Sequence, residues 1–246
     1  MKKVWWTNDV DDASGRPLIE RLRRHAAVGV REAMPAPAAS ALARRVLDAD
    51  HELGDDFGGE QRSLGRPWYT HMETGRAAEY FRDAAASDGR VERILPGLQD
   101  WTLATLARIV GGVVRRRHGF CGPGVHVFPP DQKVAHQGGV HHYDLEGLTP
   151  TWRAARPTAL SVVWMLQSPT TRGGLTLFNK TWHGQNWPMD DDPAVTRTTT
   201  RMRAGDFLVF SSYRLHRING FGGGLARISV TCHAVEVDRG VWDAWF

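Results

Sequence analysis

Two histidines, an aspartate and a later arginine are the residues of this chain whose types and spacing can do chemistry together. They are His142 and Asp144 in VHHYDLEG, His216 in SSYRLHRI and Arg227 in GLARISV. Two imidazoles and one carboxylate can cap one face of a transition metal such as iron(II), leaving the opposite positions open for a cosubstrate and oxygen. An arginine eleven positions beyond His216 can hold a distant carboxylate in a bidentate grip. Neither an H-x-D triplet nor a His–Arg pair is informative alone, because both arise by chance. Their order, and the β-like sequence around each member, carry the reading. The chemistry they point to is oxygen activation at a metal.

Such a site needs rigid elements drawn from distant parts of the chain. After Gly119 the sequence turns into short β-rich runs divided by Gly, Pro and Asp, at 124–128, 139–143, 159–167, 174–179, 198–203, 206–211 and 226–237. A series of this kind suggests a sandwich or jelly roll. The run Leu160–Leu166 is apolar on both faces and belongs at the centre of a sheet. His142 and Asp144 then close one strand, His216 follows another, and Arg227 opens the last long one. A jelly roll gathers such ends at one mouth of the barrel.

The first half reads as helical over 17–33, 37–49, 73–87 and about 97–117, with breaks at Pro35 and Pro37. In the last of these, Leu103, Leu106, Ala107, Val110 and Val114 form an apolar stripe suited to packing on a sheet. The expected architecture is α+β within one domain, residues 1–246. An all-β jelly-roll core spans 119–240, and the mainly helical segment 1–118 buttresses one sheet.

Composition narrows the function classes. A hydrophobic content of 41% supports a real core. No apolar run is long enough to span a bilayer, and MKKVWWTNDVDD lacks a secretory core. Cys121 and Cys232 make neither a disulfide framework nor a zinc pattern. A cytoplasmic protein with two reduced core cysteines and no membrane partner is expected. The net charge of +4 is modest. Arg21, Arg23, Arg24 and Arg115, Arg116, Arg117 fall in helical sequence and read as solvated faces, with no interleaved aromatics to make a nucleic-acid groove. The oligomeric state is left open.

The same residues resemble the iron(II)- and 2-oxoglutarate-dependent oxygenases. The pattern is His142-Tyr143-Asp144, the distal His216, and Arg227 in R-I-S with Ser229. Ala204-Gly205-Asp206 is similar to the turn before the distal-histidine strand, and Gly173-Gly174-Leu175 to the double-glycine turn after the central strand. The resemblance covers about residues 120–237. It implies a double-stranded β-helix, with iron(II) held by His142, Asp144 and His216. 2-Oxoglutarate would chelate the metal, with its far carboxylate on Arg227 and Ser229, and O2 would take the remaining position. The implied reaction yields succinate and CO2 and hydroxylates an unactivated C–H bond of a small molecule, an amino acid or natural-product intermediate. Desaturation and cyclisation occur within the family.

Asp144 fills the place that halogenases of the family leave to Gly or Ala, which disfavours halogenation. Nucleic-acid demethylases usually carry a second arginine six positions after the first, where this chain has His233. A peptide or protein hydroxylase and a non-enzymatic metal-binding jelly-roll sensor stand as alternatives. Cupin dioxygenases need more histidines than HHYD supplies.

Candidate substrate contacts are His126, Asn179 and Trp182, the last two in LFNKTWHGQNW with His183, and Trp242 and Trp245 in the terminal VDRGVWDAWF. Strand alternation directs His141 away from the metal. The terminal aromatics have two readings. Either they dock on the helical layer as ordinary core, or Trp242 and Trp245 fold back as a lid that keeps water from the reacting centre.

Overall fold

The apolar run Ala159–Gln167 is the strand around which the fold is built, buried along nearly its whole length. In the computed structural model, residues 2–11, 17–184 and 195–246 are described. In chain order the strands are β1 Val4–Thr7, β2 Ala27–Val30, β3 Gly54–Asp56, β4 Gln61–Leu64, β5 Val113–Arg116, β6 Gly124–Phe128, β7 Ala159–Gln167, β8 Thr171–Arg172, β9 Leu175–Thr181, β10 Arg197–Thr200, β11 Phe207–Ser211, β12 Arg214–Ile218, β13 Phe221–Gly222, β14 Arg227–Asp238 and β15 Val241–Trp245. The α-helices are α1 Ala36–Asp48, α2 Trp68–Glu73, α3 Ala77–Ile94, α4 Leu98–Val110, α5 Lys133–Gln137 and α6 Pro150–Ala155.

A large sheet runs β1-β2-β11-β7-β14-β6-β4-β3, with β15 pairing β14 and β5 pairing β15. A three-stranded sheet has the order β10-β9-β12, and β13 pairs β8. Alternation along the central strands decides which layer covers which face. Val162, Trp164 and Leu166 join Phe207 and Val209 and pack on α1 and α4 through Ala39, Ala43, Val46, Leu106 and Ile109. Val163 and Met165 join Leu208 and Phe210 on the other face and meet Leu175 and Leu177 of the small sheet. Trp164 is fully buried and stacks on Trp101, ring centroids 4.0 Å apart. Burial of each such side chain stabilises the fold by roughly 1.5–3 kcal/mol. Helices therefore lie on one face of the large sheet and the small sheet on the other, as an all-β core with a helical buttress requires.

Several elements differ from the sequence expectation. The run 17–33 is a 3₁₀ helix, Leu18–Arg23, followed by β2 rather than one helix. Helix-favouring composition yields there to pairing, because β2 is clasped in parallel by β1 and antiparallel by β11. The helix expected over 97–117 ends at Val110, where Gly111 takes a left-handed φ of 65°. Val114, Arg115 and Arg116 then belong to β5, and Arg117 follows it, rather than lying on a helix face. Arg115 pairs with Asp243 at 2.7 Å and Arg116 with Asp100 at 3.0 Å. The segment 139–143 forms no strand, only a single bridge between His142 and His216. Residues before 119 also supply five strands, so that half is a sheet contributor as well as a buttress. No helix among the described residues is long and apolar enough to cross a membrane.

Candidate metal centre

Backbone register places the three candidate ligands before any side chain is considered. The His142 N–H donates to the His216 carbonyl and the His216 N–H to the His142 carbonyl, both at 3.0 Å. The Asp144 N–H donates to the Ser212 carbonyl at 3.0 Å, in the short turn between β11 and β12. His216 follows β11, as the sequence suggested, and lies within a further short strand, β12. The ligand atoms of His142, Asp144 and His216 all lie within 4.8 Å of one another. His142 Nε2 is 3.5 Å from Asp144 Oδ1, and His216 Nε2 is 3.3 Å from Asp144 Oδ2.

Hydrogen bonds turn the rings toward that centre. His142 Nδ1 sits 2.9 Å from the Val140 carbonyl and His216 Nδ1 2.9 Å from the Arg214 carbonyl. Each pairing puts the proton on Nδ1 and leaves Nε2 free to coordinate. Ser161 Oγ donates to Asp144 Oδ2 and lies 3.0 Å from Ser212 Oγ. Burial, reinforced by the charge on His216, holds the His142 imidazole down at about 4. Burial also opposes charge on His216, but the Asp144 carboxylate outweighs it and raises that imidazole. Burial alone would raise Asp144; His216, His233 and His142 instead keep it well below the usual carboxylate range. An ionised carboxylate facing two histidines is the charge state a divalent metal needs.

Arg227 is 2% exposed at the start of β14. Its Nη1 donates to Ser229 Oγ at 3.1 Å, while its Nε is buried with no partner. Among the described residues it has no acidic counter-ion. Burial lowers its guanidinium to about 10. An uncompensated buried cation of this kind suits an incoming carboxylate. The paired residues are therefore those the sequence named, and they share the face of β14 that points away from the helical layer.

The other candidates divide. His126, opposite Ser229 on β6, is buried, with Nδ1 3.0 Å from Ser63 Oγ and its ring 4.7 Å from that of Phe246. Burial and nearby Arg227 lower it to about 3, so it stays neutral beside the guanidinium. Asn179 is exposed, and its N–H donates to the Thr196 carbonyl. Trp182 stacks on Tyr213 at 6.2 Å, near the end of the small sheet. The end of that motif, 185–187, lies outside the described residues. His141 contacts the Phe178 ring at 5.0 Å, in keeping with alternation away from the metal.

The terminal aromatics are neither a free tail nor a lid. They sit in and just after β15, paired with β14 and β5. Trp242 joins the helix-side core, which takes it off the metal face and corrects its assignment as a substrate contact. Alternation sends Trp245 to the opposite face, 5.9 Å from the His233 ring. There it backs the loop after Asp144. Gly147 has φ 84°, and a Cβ on it would stand 2.4 Å from Trp245 Nε1, so only glycine fits this approach. Arg117 caps the packing, lying over Phe120, Trp152 and Trp245 and donating to the Gly147 carbonyl.

Three residues close to the cluster escaped the sequence reading. Ser161 grips Asp144; a lone serine inside the apolar strand ALSVVWML was its available signal. His233 Nδ1 is buried without a hydrogen-bond partner, 3.9 Å from Asp144 Oδ2. Counting in twos along β14 from Arg227 reaches it. Glu146 is lifted to about 7 by burial and the charge on Asp144; nothing in the sequence marks its burial.

No protein-family profile matches the chain, and no curated protein matches it. Solved structures do. The epimerase SnoN, in complex with Fe3+, alpha ketoglutarate and nogalamycin RO, is 18% identical over 89% of this chain and 84% of its own, with a TM-score of 0.54. The non-heme alpha ketoglutarate dependent carbocyclase SnoK from nogalamycin biosynthesis is 14% identical over 93% and 86%, TM-score 0.56. An N-substituted L-amino acid dioxygenase from Burkholderia ambifaria AMMD is 14% identical over 85% and 91%, TM-score 0.51. The chain thus has the fold of the iron(II)- and 2-oxoglutarate-dependent oxygenases, with a His-Asp-His cluster set between its sheets.

Proposed function

We propose that this protein is an iron(II)- and 2-oxoglutarate-dependent dioxygenase that hydroxylates an unactivated C–H bond of a small molecule, and that its two sheets form a double-stranded β-helix. One observation carries the reading. A preorganised His142–Asp144–His216 cluster lies on the same face of the large sheet as Arg227, since Ser161, which binds Asp144, pairs with His233 on that face of β14; Arg227 is a buried guanidinium with no acidic partner among the described residues. The donor set suits iron(II), and the orphaned Nε edge suits the far carboxylate of 2-oxoglutarate.

Bound iron would couple oxidative decarboxylation of 2-oxoglutarate by O2, giving succinate and CO2, to oxidation of the substrate C–H bond. The remaining roles belong to the chain. His142 and His216 are oriented by carbonyls, and Ser161 steadies the Asp144 oxygen that it contacts. Arg227 and Ser229 fix one end of the cosubstrate. His126 stays neutral beside them and adds no second cation. Trp245 and Gly147 close the back of the site. Buried, free Cys121 and Cys232 favour a reducing compartment, so we place the enzyme in the cytoplasm.

The test is succinate formation with oxygen uptake in the presence of iron(II), 2-oxoglutarate and a small-molecule library. Product mass then separates hydroxylation, which adds an oxygen, from cyclisation or desaturation, which remove two hydrogens. A protein that binds iron and 2-oxoglutarate yet never forms succinate is a sensor, and that result would overturn the proposal.

A further inference from the structure

Arg214 is a second buried arginine with no acid in ion-pair range among the described residues. It opens β12, two positions before His216, and is 8% exposed. The pairing of β12 with β9 shifts register here: Arg214 faces Thr181, yet His216 faces Leu177. Four residues of β9 therefore span two of β12, so the bulge lies in β9 and β12 keeps its own alternation. Arg214 and His216 consequently share a face.

The guanidinium is held by one side only. Nη1 donates to the carbonyl of Phe178, inside the bulge, at 3.0 Å. Nε is buried with no partner, and among the described residues Nη1 carries the guanidinium's hydrogen bond. The Nε–Nη2 edge is the fork that receives a carboxylate in bidentate fashion. Arg227 shows the same arrangement, with Nη1 bound to the protein and Nε unpartnered.

Two further arginines lie nearby, with Glu146 as the acid beside Arg153. Arg156, at the end of α6, lies over Tyr213 at 5.3 Å and Trp182 at 5.8 Å, and its Nη1 is 3.0 Å from His183 Nδ1. Tyr213 directly precedes Arg214, and the Trp182 N–H donates to the Tyr213 carbonyl at 2.8 Å. Arg153, also on α6, donates to the Leu145 carbonyl next to the ligand Asp144, with its Nε unpartnered. None of these three arginines has an acid within ion-pair distance among the described residues.

We propose that Arg214 is a specificity-determining residue and that the substrate carries a carboxylate, which docks on its Nε–Nη2 edge while the carbon to be oxidised lies over the metal. The proposal rests on the oxygenase reading above. Arg227 takes the cosubstrate acid, and Arg214 takes the substrate acid from the His216 strand.

The experiment uses the full chain loaded anaerobically with iron(II) and saturating 2-oxoglutarate, so that Arg227 is occupied and no turnover occurs. The probes are N-acetyl-L-amino acids, benzoate and phenylacetate, each with its methyl ester. Binding is read by calorimetry and by the shift of the iron–2-oxoglutarate absorption band. Acids should bind at least about tenfold more tightly than esters in at least one pair, since a bidentate contact to a charged group is worth that much. In R214L that preference should vanish while the absorption band still forms, and R214K should keep part of it. Binding of no acid, equal binding of acids and esters, or an undiminished preference in R214L would each overturn the proposal. R214Q guards against misfolding; if none of the variants folds, Arg214 is a structural tie and the proposal falls. Absence of the band in the wild-type protein would instead sink the oxygenase reading itself.

Discussion

Replacing Arg227 by methionine should stabilise the metal-free protein and at the same time remove its response to 2-oxoglutarate. Burial takes the guanidinium down from its ordinary range to about 10. At about 1.4 kcal/mol per pKa unit, the charged form is penalised by roughly 3 kcal/mol. The substitution forfeits the Nη1–Ser229 hydrogen bond of 3.1 Å, worth about 1 kcal/mol. It also loses the contact over the Phe128 ring at 5.3 Å, worth about 0.5–1 kcal/mol. The balance leaves the variant about 1–2 kcal/mol more stable, a rise in melting temperature of roughly 2–8 °C at this size. The sign follows from a depressed cation. The penalty is in full force below about 10, where the group is charged folded and unfolded alike. It fades as pH climbs from there toward the ordinary guanidinium range, so the two proteins should converge at high pH. The assay is thermal melting with and without 2-oxoglutarate, with manganese(II) as a redox-inert stand-in for iron. At a hundredfold excess over Kd the wild type should gain about 2.7 kcal/mol. The variant should need roughly ten- to hundredfold more ligand, having lost a contact of about 1.5–3 kcal/mol. A variant that melts below wild type and still answers normally to 2-oxoglutarate would show Arg227 to be an ordinary strand residue.

Other perturbations probe the rest of the site. His142→Ala, Asp144→Ala and His216→Ala should each abolish succinate formation with circular dichroism unchanged; near-normal turnover in any of them refutes the triad. Ser161→Ala removes the hydroxyl on Asp144 Oδ2 and should weaken metal binding about 10–100-fold by calorimetry, with secondary structure intact. An unaltered metal affinity would assign Ser161 to packing alone. Deletion of 241–246 strips β15 together with Trp242, Trp245 and Phe246, all 1–2% exposed. Loss of one such aromatic costs about 3–5 kcal/mol, so the truncated chain should lose its cooperative melting transition, and native melting would contradict the packing described.

Legibility from sequence followed how local the cause was. β6, β7, β11 and β14 lie within a residue of the expected runs, because apolar runs and Gly, Pro and Asp punctuation are local signals. β2, β5 and β15 were not visible. β2 exists because Val4–Thr7 and Phe207–Phe210 flank it, and β5 because Val241–Ala244 runs beside it. No window along the chain contains those partners.

The sequence by itself determined the chemistry: residue types that can ligate a divalent metal, an arginine that can grip a carboxylate, and an order and spacing compatible with both. Side-chain identity sets donor set and charge, and these do not depend on the fold. Only the tertiary structure decided which of those groups are left wanting. It brought Ser161 under Asp144, turned Trp242 into the helix-side core and Trp245 toward His233, and buried Arg227 and Arg214 without acids. Burial, register and the facing of alternate residues are properties of pairs far apart in the chain, and they convert ordinary arginines into buried cations that require an anion.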